Sequence, residues 1–128
     1  MMLEPSVLPW LALAGGLGAA ARYLLDTWVQ ARAGKDFPWG TTAVNLSGAF
    51  LAGIVAGWVG SGGESDLAAI LSVGFLGAFT TFSTWMVEAV TLLEKGEVVK
   101  AGLHLGGGLA MGVLLAGVGI WAGAGLGG

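Results

Sequence analysis

Charged residues in this 128-residue chain fall in a few short clusters, and the gaps between the clusters limit the fold more than any motif does. Seventeen uncharged residues separate Glu4 from Arg22, 27 separate Asp36 from Glu64, 21 separate Asp66 from Glu88, and 28 follow Lys100. A helix needs roughly 20 apolar residues to cross a bilayer core, so each gap supplies one crossing and none supplies two. An all-α integral membrane protein with four transmembrane helices is the expectation. Only 10% of residues are charged, against about 25% in soluble domains, too few to cover a water-facing surface. A soluble enzyme, a nucleic-acid binder and a secreted disulfide scaffold are thereby excluded. The chain has no cysteine, so it has no disulfide, thiol metal site or thiol nucleophile. The net charge of −3 comes without a basic cluster for nucleic acid or anionic lipid.

The spans are expected near 6–25, 38–59, 66–93 and 98–124, filling residues 1–128 as a single four-span membrane unit. Pro38 suits the first turn of the second span, and Trp39 and Trp58 stand at its ends as interfacial anchors. Asp66 is the expected N-cap of the third span, and Lys95-Gly96 ends it. Glu4 and Pro5 occupy the place of a secretory leader's positive region, so the first apolar segment is expected to remain as a span. Four helices make a thin bundle, which points to an oligomer with its site at or near a subunit interface. There are 25 glycines, about one residue in five where about 7% is usual. Many fall four apart, as in Ala49-Gly53-Gly57, Gly108-Gly112-Ala116 and Gly119-Gly123-Gly127. Such stripes let helix backbones approach closely. All five Lys and Arg residues lie at the first and third loops. The positive-inside rule then places both termini outside.

Several polar residues interrupt the apolar spans. Asn45 sits midway along the second, with Thr41 one turn earlier and Ser47 nearby. An amide in hydrocarbon needs partners, so Asn45 serves either as interhelical glue or as a pore-lining donor. In the third span, Gly74-Phe75-Leu76-Gly77-Ala78-Phe79-Thr80-Thr81-Phe82-Ser83-Thr84-Trp85 is poor helix chemistry, because Thr and Ser both weaken a helix. A local break there would free carbonyls that need a cation, water or another chain. Phe75, Phe79 and Phe82 share one helical face, extended by Trp85. That stripe is either core packing or, with its positive ring edges among hydroxyls, a path for a small anion. Arg22 and Glu88 either snorkel to an interface or stand at a vestibule. His104 is alone in the fourth span and reads as a hydrogen-bonded interior residue rather than a metal ligand. No constellation for hydrolysis or group transfer is present, so the chain is not expected to be an enzyme.

Three segments together, Gly15-Gly16-Leu17-Gly18-Ala19-Ala20-Ala21-Arg22-Tyr23, Gly40-Thr41-Thr42-Ala43-Val44-Asn45-Leu46-Ser47-Gly48 and Gly74 to Trp85, resemble the Fluc/CrcB fluoride channels in order and spacing. The resemblance spans three of the four helices. It implies an antiparallel, dual-topology dimer whose third helix is broken near mid-membrane. Two narrow pores would let fluoride leave the cell passively through the plasma membrane. It also implies a structural sodium ion (Na+) at the dimer centre, held by the backbone carbonyls of Gly77 and Thr80 from both subunits. The fluoride path would run along Asn45, Phe82, Ser83, Thr84 and Trp85, with Arg22 and Glu88 at the vestibules.

The chain departs from the family pattern at Trp85, where a second phenylalanine is usual. It departs again at His104 and Gly108, where a tyrosine and a serine are usual; His104 is the possible fourth-helix pore contact. The one-sided charge bias also departs from the balance of a dual-orientation protein. It leaves two assemblies open, a homodimer or a fixed-orientation subunit paired with a paralogous chain. A small multidrug-type proton-coupled antiporter has the same span count, but the first span here lacks the membrane carboxylate that class needs. A non-transporting partner subunit is the remaining rival.

Overall fold

The computed structural model describes residues 4–127; residues 1–3 and 128, the ends of the expected four-span unit, lie outside it. Four helices are long and apolar enough to cross a membrane: Pro5–Ala33, Trp39–Gly60, Ser65–Glu94 and Val98–Leu126. We label the regular segments α1 (Leu8–Ala33) and α2 (Trp39–Gly60) in the first two spans. The third span contains α3 (65–79) and α4 (Ser83–Glu94), and the fourth is α5 (98–127).

The boundaries follow from local chemistry. The first span was expected to stop near residue 25, but α1 continues to Ala33 because nothing breaks it before Gly34, whose φ of 92° suits glycine. Much of the expected linker is therefore helix. Gln30 then ties the short remaining connection. Its Nε2 donates to the carbonyls of Gly34 and Phe37, and its Oε1 accepts from the Gly40 amide at 3.0 Å. The third span begins one residue earlier than expected and its cap is Glu64, not Asp66: the Glu64 carboxylate accepts from the amides of Asp66 and Leu67, both at 2.9 Å. Asp66 lies inside the first turn, where its charge opposes the helix dipole favourably. At Lys95-Gly96 the span ends as expected. Glu97 N donates to Leu92 O at 2.9 Å and Gly96 N to Leu93 O at 3.0 Å, with Gly96 at φ 76°. That paired closure satisfies the last carbonyls of the helix.

Two stretches widen into π-helix, Ile70–Leu76 in the third span and Leu103–Gly107 in the fourth. Such turns are rare and concentrate at functional sites. The sequence reading had not placed either one.

The helices pack through glycine. The α2–α5 pair is the closest, and a Cβ added at Gly53 or Gly57 would run into the α5 backbone at Ala116 or Ile120. Reciprocally, Gly119 and Gly123 face the α2 backbone at Phe50 and Ile54. The expected small-residue stripes are thus used inside one chain to bring two spans into backbone contact. Along α1, Gly18 lies against the Phe75 carbonyl of α3. Val44, Leu76 and Phe79 form the buried core, flanked by Ala21, Leu25, Val55 and Phe75. Large apolar side chains elsewhere point outward, Trp121 with 80% of its surface free, as lipid-facing positions do.

Candidate functional site

The site grows from a backbone irregularity. After the short helical turn Gly77–Phe79, Thr80 turns to an extended conformation (φ −79°, ψ 158°), and helix resumes only at Ser83. Several of the backbone groups released there take partners from side chains. The Thr81 amide, which in an unbroken helix would reach Gly77 O, donates instead to Asn45 Oδ1 at 2.9 Å. The Thr81 carbonyl accepts from Asn45 Nδ2, also at 2.9 Å. The Ala78 carbonyl accepts from Arg22 Nε at 3.3 Å. Thr84 N, the helical partner that Thr80 O would have, donates to Thr81 Oγ1 at 3.3 Å. Asn45 and Arg22, from two other spans, therefore replace hydrogen bonds that a helix makes for itself.

What remains is a short list of unclaimed oxygens. Gly77 O and Thr80 O have both lost their helical donors to other acceptors. Carbonyl oxygens of this kind suit a hard cation, and two from one chain are too few to enclose one.

A cavity of about 550 Å³ opens beside this irregularity, lined by Asn45, Gly77, Thr80, Phe82, Trp85 and Gly108 among others. Its wall is mostly apolar, with Asn45 and the threonines as its polar points. The single aromatic stripe expected along the third span is divided here. Phe75 and Phe79 stack at 5.6 Å within the core, whereas Phe82 leaves 70% of its surface free and meets Trp85 edge-on at 5.7 Å. The extended Thr80 rotates everything after it, so residues seven apart no longer share a face.

Beyond Trp85 the surroundings change. Trp85 Nε1 donates to His104 O, and His104 Nε2 lies against Trp85 O, each at 3.0 Å. His104 Nε2 is also 3.9 Å from Glu88 Oε1. Glu88 lines a second cavity, of about 530 Å³, walled by Asp26, Gln30, Lys35, Asp36 and Lys95 among others. Thr41 Oγ1, Glu88 Oε1 and His104 Nδ1 are buried without a hydrogen-bond partner among the described residues.

The structure thus gathers Asn45, Phe82, Trp85, Gly77 and Thr80 around one cavity. Glu88, which lines the second cavity, lies 3.9 Å from His104 Nε2. Ser83 and Thr84 do not line either cavity within a single chain, and Ser83 is exposed. Arg22 contacts the Ala78 carbonyl, and His104 is an interior hydrogen-bonded residue with 1% of its surface free. Sequence reasoning missed Gln30 and the Arg22–Ala78 bond. The signal for Arg22 was present, since a guanidinium next to a predicted backbone break is a natural donor for its carbonyls. Gln30 carried no signal beyond being an amide next to a short loop.

A four-span bundle with an interrupted third span and a cavity at the interruption defines a multi-pass membrane protein built around a polar backbone site. Residues 9–120 match the model of the family described as "CrcB-like protein, Camphor Resistance (CrcB)". The chain belongs to this family. A protein of Leifsonia xyli subsp. xyli named fluoride-specific ion channel FluC 1 is 44% identical over 125 residues, 94% of this chain and 89% of the relative. The fluoride-specific ion channel FluC of Geobacter sulfurreducens is 45% identical over 115 residues, 88% and 90% of the two chains. That of Hahella chejuensis is 46% identical over 95 residues, 73% and 75%. These relatives are named as channels, and the family is not one of enzymes.

Proposed function

We propose that this chain forms a fluoride-selective channel that lets the anion leave the cell passively and so lowers its cytoplasmic concentration. The observation that carries the reading is the Asn45–Thr81 exchange, in a chain with three relatives at 44–46% identity that bear the name of fluoride-specific channels. Fluoride is small and strongly hydrated, so a path for it must replace water with donors. Asn45 spends one amide hydrogen on Thr81 O and keeps a second. Phe82 offers a free ring edge, where the positive part of the quadrupole lies. Ser83 and Thr84 continue the donors along the next turn. Trp85 contributes its ring only, because its N–H is given to His104 O. Glu88 faces the charged cavity that would form the vestibule.

The assembly in this reading is an antiparallel dimer, its third spans broken near the middle of the bilayer. Gly77 and Thr80 carbonyls of both copies would hold a structural sodium ion, which supplies fixed positive charge where the spans cross. The unclaimed state of those carbonyls supports that arrangement. The charge bias favours a second form of it. Arg22 is occupied at Ala78 O, and the four remaining cations still lie on one side. A chain so biased would insert in one orientation and pair with a paralogous chain of the opposite bias.

Purified protein in liposomes loaded with potassium fluoride tests both. Valinomycin should trigger rapid fluoride release, read with a fluoride electrode, while chloride is retained in parallel vesicles. Phe82→Ile, which keeps bulk and removes the ring edge, should slow release about tenfold or more; unchanged release would remove the ring from the path. No release from well-folded protein alone, restored by a co-purified second chain, would select the heterodimer. Chloride release as fast as fluoride release would overturn the channel reading.

A further inference from the structure

Trp85, His104 and Gly108 lie on two different helices yet meet at one point between the two cavities. Trp85 lines the apolar cavity, and Glu88, three residues further along α4, lines the charged one. The His104 ring touches both sides. Its Nε2 lies 3.0 Å from Trp85 O and 3.9 Å from Glu88 Oε1. It makes a T-shaped contact with Phe37, which lines the charged cavity, at 5.7 Å and 81°. A carbonyl oxygen only accepts, so Nε2 carries the proton in this contact. The bond is answered by Trp85 Nε1, which donates to His104 O at 3.0 Å. Each residue therefore uses its side chain on the other's backbone, and neither ring can turn without breaking a bond.

The third member is an absence of side chain. A Cβ at Gly108 would stand 3.3 Å from Trp85 Nε1, with the next nearest atoms, at 3.7 and 3.8 Å, also in the indole. A side chain at 108 would require the indole to shift by a few tenths of an ångström, and its bond to His104 O opposes that shift. We infer that Trp85, His104 and Gly108 form a single interlocked wall between the vestibule and the cavity at the helix interruption, and that Trp85 is a positioning residue for that wall. The consequence for transport rests on the channel reading above; the interlock itself does not.

The test is a double-mutant cycle between Trp85→Phe and Gly108→Ala, read by thermal unfolding in detergent and by fluoride efflux from liposomes. In the native background Gly108→Ala should lower the melting temperature by about 4 °C and slow efflux about tenfold. In the Trp85→Phe background the same substitution should leave the melting temperature equal or higher, since alanine is the better helix former. There it should change efflux by less than about twofold relative to its own parent. Equal losses in both backgrounds, or no loss in either, would overturn the interlock. If Gly108→Ala alone does not yield folded protein, recovery by added Trp85→Phe supports the proposal and failure of the double variant overturns it. If even the native chain releases no fluoride, the channel reading fails while the melting temperatures still decide the interlock.

Discussion

The two halves of the third span are held by different physics. α3 lies against α1 with almost no space between backbones, Gly18 meeting the Phe75 carbonyl and Gly74 meeting Ala14 and Leu11. Its aromatic residues Phe75 and Phe79 stack on each other, with Phe79 buried in the core. α4 has two buried residues, Ala89 and Leu92, and is fastened at its start by hydrogen bonds from other helices: Asn45 at Thr81 and His104 at Trp85. Close packing of glycine against backbone specifies position and leaves little room for a solute. Polar fastening leaves donors, ring edges and carbonyls facing open space. In one span the sequence has separated the part that anchors from the part that can bind.

Substitutions can break this contrast in a graded way. The largest effect is expected in the packed half. Gly18→Val places two methyl groups where the Phe75 carbonyl lies, with no flexible side chain able to move aside, and should abolish recovery of monodisperse protein on gel filtration. Next is the polar fastening. Asn45→Leu strands both the amide and the carbonyl of Thr81, a cost of about 2–4 kcal/mol. Folded protein with a lowered melting temperature and background fluoride efflux is the expected result. Asn45→Asp keeps the acceptor and loses the donor, so recovery of the melting temperature with efflux still absent would sharpen the contrast.

Arg22→Met should cost about 1–2 kcal/mol, because only the Ala78 carbonyl loses its partner; thermal unfolding reads it. A loss as large as that of Asn45→Leu would mean that Arg22, and not Asn45, is the principal support of the interruption. The smallest effect belongs to the exposed position. Ser83→Ala should change the melting temperature by less than about 1 °C while slowing efflux severalfold. A stability loss comparable to that of Arg22→Met would place Ser83 in the fold rather than in the path.

Span number and approximate position were legible because charge is costly in lipid, so Asp36, Glu64 and Lys95 fence the crossings. The weak helix chemistry of Thr80–Thr84 was legible for a similar reason, since adjacent hydroxyl residues after glycines contradict local propensity. The outcome for Asn45 was open in sequence, because the same amide serves glue and donor alike; the structure commits two of its bonds to Thr81. Register after the interruption was not legible. An extended Thr80 turns the later residues through an angle that helical periodicity does not carry, which is why Phe82 and Phe79 part company. The π-helical turns were hidden for the same reason, being compromises between neighbouring spans. The Trp85–His104 contact joins residues 19 apart across a turn, and no spacing rule links them.

The loan of the Thr81 amide to Asn45 also implies an order of events in biogenesis. An isolated third span released into lipid has no partner for an opened backbone, and an unpaired peptide group there costs several kcal/mol. It would therefore enter the bilayer as continuous helix, with Thr81 N returned to Gly77 O. Only when the second span arrives with its amide does the opened form become the cheaper one. The interruption is then a late product of helix docking rather than a property of the segment that contains it. A chain stalled before its second and third spans dock would carry no site at all.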